Sequence, residues 1–146
     1  MYIKVVLYTL GILIGADICF LNAQVVYTTG SHTINTPLPT SLEIRGDAVV
    51  TFESGAAAYD VYVYDDGQLL MTGGIIGTSL NMHNRGKAYI SGGQIDSEAL
   101  DGGRLIGVGD DFYVQIQNAT VAALYGGGTI DVISGSIKAV YAMMGT

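Results

Sequence analysis

The sequence feature that most constrains the fold is a pattern of apolar and glycine positions that returns every nineteen residues. The motif apolar-x-apolar-x-x-Gly-x-apolar occupies residues 50–57, 69–76 and 88–95. Self-similarity at a fixed period of this length is typical of a solenoid, in which each repeat buries its apolar face only against its neighbours. A single repeat is therefore not expected to fold alone.

The spacing inside each repeat predicts strands and tight turns rather than helices. Apolar residues two positions apart share one side of a strand, and the glycines at 55, 74 and 93 fall where the chain must bend with a positive φ. The motif returns at 114–121 and again at 130–137, which places about seven extra residues around positions 102–109. The sequence thus predicts an all-β fold, a single-stranded parallel β-helix or solenoid of about five coils with a period near 19 residues.

The first residues predict an export signal over 1–23. Lys4 precedes an apolar run at 5–14, and a small residue stands before a cleavage point at Gln24. The run is shorter than the ~20 residues that span a bilayer, so no membrane span is expected in the mature chain. Cys19, the one cysteine, would be removed with the signal. The mature chain is then expected to form no disulfide and no cysteine metal site. We expect an extracellular or cell-surface protein, exported and bacterial.

The remaining chain divides into a lead-in or cap at 24–41, interrupted by Pro37 and Pro39, and a repeat domain at 42–146. The repeat domain ends one short segment into a sixth coil. This ending suggests a truncated repeat array, or an end that a partner covers, and it makes end-to-end self-association a further expectation.

Charge excludes one class of partner and defines one surface feature. The chain carries a net charge of −7, with only six scattered Lys and Arg residues, so a nucleic-acid backbone would be repelled. The nineteen-residue register predicts an outward column of Asp47, Asp66, Arg85 and Arg104. Within it, Asp66 and Arg85 are expected to form an exposed ion pair, a solvated decoration rather than a site.

Paired glycines give the sequence a resemblance to a known family. They occur in Thr72-Gly73-Gly74-Ile75, Ser91-Gly92-Gly93-Gln94 and Leu100-Asp101-Gly102-Gly103-Arg104-Leu105. Over about residues 42–137 the chain resembles the strand-loop-strand repeats in passenger regions of bacterial autotransporter adhesins. The resemblance implies a parallel β-helix exposed outside the cell, with host or neighbouring-cell surface glycans or proteins as partners.

Several segments contain residue types that could form a chemical site. Residues 124–133, which include Asp131, nearly match the calcium-binding nonapeptide of β-rolls, but a single imperfect copy is better explained as a glycine turn entering a strand. The acidic pairs Asp65-Asp66 and Asp110-Asp111 are interpreted as solvated turns. Asp101 with Arg104 or Arg85 is the one acid–base grouping that the register could assemble.

The remaining candidates are isolated residues. His32 and His83 have no further ligand at metal-binding spacing, and Asn118 begins a formal glycosylation sequon. We therefore expect no catalytic residue, no metal and no cofactor, with the ligand-binding residues unidentified. The leading hypothesis is a structural or adhesive surface module without catalysis. The alternatives are a carbohydrate-active β-helix enzyme (a polysaccharide lyase or hydrolase), a phage tail-spike-like solenoid and a calcium-dependent β-roll.

Overall fold

The computed structural model describes residues 24–95, 104–108, 111–125 and 128–141, and every regular element among them is a β-strand. The predicted signal at 1–23, Cys19, Asp101 and Asp110 lie outside the described residues. In chain order the strands are β1 (Val25–Tyr27), β2 (Ser31–Ile34), β3 (Leu42–Ile44), β4 (Val49–Phe52), β5 (Ala57–Val63), β6 (Gln68–Met71), β7 (Ile75–His83), β8 (Lys87–Ile90), β9 (Gln94–Ile95), β10 (Arg104–Val108), β11 (Tyr113–Ile116), β12 (Ala119–Tyr125), β13 (Thr129–Val132) and β14 (Gly135–Tyr141). Within this part of the chain, nothing helical reaches the length and apolarity needed to cross a bilayer.

The strands form two parallel sheets that wind around one core. Sheet A has eight strands in the order β1-β3-β5-β7-β10-β12-β14, with β9 pairing β7 and β12. Sheet B has six strands in the order β13-β11-β8-β6-β4-β2. Chain neighbours alternate between the sheets except for β9 and β10, which both belong to sheet A, and each strand pairs with its counterpart one turn away. This topology is a parallel β-solenoid of about five coils, as the repeat predicts.

Strand pairing in the regular coils follows the nineteen-residue register except at the start of β5. Val50 pairs with Leu69, which pairs with Ala88, and Met71 pairs with Ile90. These inward positions are 2% exposed or less. Full burial of such a side chain contributes roughly 1.5–3 kcal/mol. Equivalent apolar residues thus stack into columns that fill one shared interior, and the predicted register is confirmed at these positions. The predicted match of Ala57 with Ile76 is wrong, because a register shift between Ala58 and Asp60 makes Ala58 the partner of Ile76.

Two kinds of corner require a positive φ, and the sequence supplies residues that tolerate it. The turns after β3, β5 and β7 place Gly46, Asp65 and Asn84 at φ values of 59°, 56° and 52°. Asp and Asn are the side chains that visit this region most readily. At the other corner Gly93 has a φ of 91° and lies against the preceding coil, where an added Cβ would stand 2.7 Å from the carbonyl oxygen of Gly74.

The structure confirms the predicted break in the nineteen-residue period, but most of the extra residues precede Leu105. Ile76 and Leu80 are four positions apart, whereas their partners Ile95 and Leu105 are ten apart, which is six more. One further residue falls between Leu105 and Val114. The expectation that Arg104 continues the column of Asp66 and Arg85 is therefore wrong. Arg104 pairs instead with Ser79, because the insertion shifts the register before it.

The two ends of the described solenoid differ. Residues 24–41 contribute β1 and β2 to the two ladders, and the rings of Tyr27 and His32 stack with centroids 4.0 Å apart. His32 Nε2 also lies 2.8 Å from the carbonyl oxygen of Thr29. At the other end Val132 is 47% exposed, although it continues an inward column whose earlier members are almost fully buried. The first turn thus carries a stacked aromatic pair, and the last one exposes apolar side chains.

Candidate functional site

The acidic turn at Asp65 and Asp66 is tied to the next coil rather than open to a substrate. Arg85 donates two hydrogen bonds to the Asp66 carboxylate, at 2.9 Å from Nε and 2.8 Å from the terminal nitrogen. Asn84 donates to Asp65 at 3.3 Å. The hydrogen bonds from Arg85 lower the pKa of Asp66 below its usual value. The predicted ion pair is confirmed, and both carboxylates serve as links between coils.

The segment resembling a calcium nonapeptide contributes an ordinary strand. Gly126 and Gly127 lie outside the described residues, and Thr129 begins β13. The Asp131 carboxylate accepts a hydrogen bond of 2.9 Å from the Tyr113 hydroxyl, which raises the pKa of Tyr113. Among the residues that the structure describes, no three His, Cys, Asp or Glu side chains cluster as metal ligands do.

The second histidine belongs to a column of flat side chains on the outer face of sheet A. His83 stacks on Tyr64 with ring centroids 4.5 Å apart and an interplanar angle of 12°. On the preceding coil the Arg45 guanidinium carbon lies 4.8 Å from the Tyr64 ring centroid. Partial burial lowers the pKa of His83. We call Arg45, Tyr64 and His83 the planar column.

Beside the planar column lies a carboxylate that is buried on an outward-facing position. Glu43 points away from the core, between Leu42 and Ile44, yet it is only 6% exposed. It is ion-paired with Arg45. A buried carboxylate is stable only when a partner offsets its desolvation, and here one guanidinium both pairs with Glu43 and covers Tyr64.

On the following coil, Tyr62 stands next to Tyr64, with ring centroids 6.3 Å apart and planes within 10°. Burial, and then the charge of Asp60, raise the pKa of Tyr62. Asp60 itself accepts a 2.6 Å hydrogen bond from the Ser79 hydroxyl, to which Asn81 donates at 2.7 Å. These hydrogen bonds fix Asp60 and Asn81, which are polar neighbours of Tyr62.

Glu43, Tyr62 and Tyr64 border a shallow depression at the N-terminal part of sheet A. Its volume is about 320 Å³. It is lined by Gln24, Thr40, Ser41, Glu43, Tyr62 and Tyr64. We call it the Tyr62 depression. It combines two phenol rings with amide, hydroxyl and carboxylate groups, a set that can both donate and accept hydrogen bonds.

Sequence reasoning missed this site, although part of its signal was present. Arg45, Tyr64 and His83 are spaced nineteen apart, as are Glu43, Tyr62 and Asn81, so the register alone places each set in one outward column. Of the predicted acid–base grouping, Asp101 lies outside the described residues, and Arg104 lies in the column of Ser79 rather than in that of Arg85.

Comparisons with protein-family models, with curated proteins and with solved structures gave no match to this chain.

Proposed function

We propose that this chain is an exported β-solenoid that serves as a structural or adhesive module at the cell surface and performs no catalysis. The observation that carries the proposal is the state of its outer carboxylates. Asp60, Asp65, Asp66 and Asp131 each accept a hydrogen bond from a side chain of the adjoining coil. General acid–base chemistry on a polysaccharide needs carboxylates directed at a substrate groove. Carboxylates that fasten neighbouring coils suit a rigid display surface instead.

The architecture supports the same role. Stacked coils present long, flat outer faces whose side chains are fixed by their neighbours above and below, and solenoids use such extended surfaces for binding. The autotransporter resemblance and the predicted signal at 1–23 support a display outside the cell. The proposed partners are glycans or proteins of host or neighbouring-cell surfaces.

Expression of the full chain in a bacterial host tests the proposal. We expect export, a mature N-terminus at Gln24, digestion by protease added outside intact cells, and adhesion of those cells to each other or to a glycan-coated surface. The matched control carries Leu10→Arg and Ile12→Arg, which interrupt the apolar run of the signal. Retention of the wild-type chain inside the cell, or adhesion no greater than that of the control, would refute the proposal.

A parallel assay addresses catalysis. The purified chain is incubated with neutral and uronic-acid polysaccharides, and new reducing ends or unsaturated uronides are measured. We expect neither above the blank. Turnover that disappears in an Asp131→Asn or Asp66→Asn variant would show that these carboxylates act on substrate, and the enzyme hypothesis would replace ours.

A further inference from the structure

We propose that the Tyr62 depression is a binding site for one neutral sugar ring, a pyranoside at the end of a glycan. The inference rests on the proposed adhesive function for its biological meaning, and it names the ligand class of that function. Its volume of about 320 Å³ stands at the lower limit of the ~300–1,000 Å³ typical of small-molecule sites. The size favours a single ring over a longer chain lying along the sheet.

The charge of the site selects a neutral ligand. The Glu43 carboxylate is paired with Arg45, so the pair adds no net charge to the site. A cation would have to displace Arg45 from both Glu43 and the face of Tyr64. An anion would approach a buried carboxylate on a chain of net charge −7. A hydroxyl-rich neutral molecule meets neither obstacle.

The polar lining matches the hydrogen-bonding pattern of a sugar. Vicinal hydroxyls both donate and accept, and the depression offers an acceptor in the Glu43 carboxylate, donors and acceptors in Ser41 and Thr40, and an amide in Gln24. The side chain of Glu43 is 8% exposed. It is thus held in place before any ligand arrives, and such preorganisation lowers the ordering cost of binding.

The aromatic geometry assigns the stacking surface to Tyr62. Both faces of Tyr64 are occupied, one by Arg45 and the other by His83. Tyr62 pairs with Glu43 on the preceding coil and with Asn81 on the following one. It borders the depression on the side of Glu43, and among the described side chains its ring neighbour is Tyr64 beside it. An apolar face of a sugar ring would therefore pack on Tyr62, while its hydroxyls reach Glu43 and Ser41.

Saturation-transfer NMR on the purified full chain tests the site. The probes are the methyl glycosides of glucose, galactose, mannose and N-acetylglucosamine, with methyl glucuronide as an anionic probe and choline as a cationic one. We expect transfer to at least one neutral glycoside and a smaller effect on the charged probes. Tyr62→Ala should weaken that binding by about tenfold, the loss of one aromatic contact and one hydrogen bond. Tyr62→Phe should retain most of it.

Tyr89→Ala is the matched control, since Tyr89 is a half-buried outward tyrosine of sheet B that leans on Tyr113. It should leave binding unchanged. Absence of transfer to every neutral glycoside, or equal binding by Tyr62→Ala and wild type with both folded by circular dichroism, would overturn the site. Stronger binding of choline or glucuronide than of any neutral glycoside would overturn the charge argument.

A second readout separates the site from the function. Cells displaying Tyr62→Ala that adhere as well as wild type, while the purified wild-type chain binds glycosides, would refute this depression as the adhesive site and leave the adhesive function standing. Glycoside binding by the purified chain, with no adhesion by displaying cells, would refute the function and leave the site.

Discussion

Replacing Gly93 by alanine should destabilise the solenoid far more than the same replacement at Gly77. Gly93 has a φ of 91°, and a Cβ there would lie 2.7 Å from both the Gly74 carbonyl oxygen and the Met71 methyl carbon. A side chain held in such a conformation costs about 1–3 kcal/mol, and the backbone contact adds to that cost. Gly77 lies in β7 with its nearest such contact at an ordinary 3.7 Å. Gly77→Ala should therefore stabilise the fold, by about 0.4–1 kcal/mol, through the unfolded chain.

Urea unfolding followed by circular dichroism measures both variants. For small domains the free energy of unfolding falls by about 1–3 kcal/mol per molar urea, so a loss of about 2 kcal/mol lowers the midpoint by about 1 M. We expect such a shift for Gly93→Ala and an equal or higher midpoint for Gly77→Ala. Equal midpoints for the Gly93 variant and wild type, or a comparable loss at Gly77, would show that the coils do not approach each other as described.

Three further outcomes follow from the outer face and the last coil. Burial lowers the pKa of His83 below 6.5, so stability should fall as the pH drops below 6.5, because the unfolded chain binds the proton first. His83→Phe should flatten this part of a plot of melting temperature against pH. An unchanged plot would contradict the assignment. Arg85 lowers the pKa of Asp66 below 3.8, so the stabilisation by this pair is present above pH 3.8 and is lost as the pH falls through the pKa of Asp66 in the folded chain. Asp66→Asn should remove this loss of stability at acidic pH. In the wild type the loss should also be smaller in 1 M salt. Val132 is 47% exposed in β13, the terminal described strand of sheet B, so we expect larger species to form as the concentration rises in sedimentation velocity. The Val132→Glu variant should form smaller species than the wild type at the same concentration. Identical behaviour of the two would exclude this edge as the contact.

The fold was predictable because the repeat encodes the pairing directly. The inward columns through Val50 and Met71 follow from counting nineteen residues, and the observed partners are the counted ones. Glycines at 55, 74 and 93 have the positive φ values that the pattern requires. Each local preference agrees with the global winding, and this consistency is what lets one sequence specify one fold.

Counting failed where the chain departs from its own period. Because Arg85 and Arg104 are nineteen residues apart, counting predicts that they share one outward column, but an insertion of six residues before Leu105 places Arg104 beside Ser79. The pattern shows that a coil is longer without showing at which corner the extra residues lie. The pairing of β10 with β7 decides where they lie.

The candidate site was harder to foresee for a different reason. The register places Tyr62 and Tyr64 on the outer face, but the burial of Glu43 depends on a side-chain contact with Arg45, which follows the end of β3. The depression also uses Gln24, Thr40 and Ser41, which belong to the lead-in, before the regular nineteen-residue copies begin. Counting nineteen residues predicts positions only in coils that resemble each other. This site forms where the first regular coil meets an irregular one, so counting does not reveal it.

Side chains along β3 point alternately inward and outward, so the residues that form the core are separate from those proposed to bind the ligand. Leu42 and Ile44 point into the core and are fully buried, whereas Glu43 lies between them on the outer side. A change at Tyr62 removes a half-exposed ring and leaves the inward columns intact, so its effect on binding can be measured in a folded chain. Leu69→Ala makes the opposite change, since it opens a cavity worth about 2–5 kcal/mol and leaves the lining of the depression untouched. If Leu69→Ala reduced glycoside binding in chains that remain folded, the core and the outer face would be coupled, and the depression could not be treated as a site built on an independent scaffold.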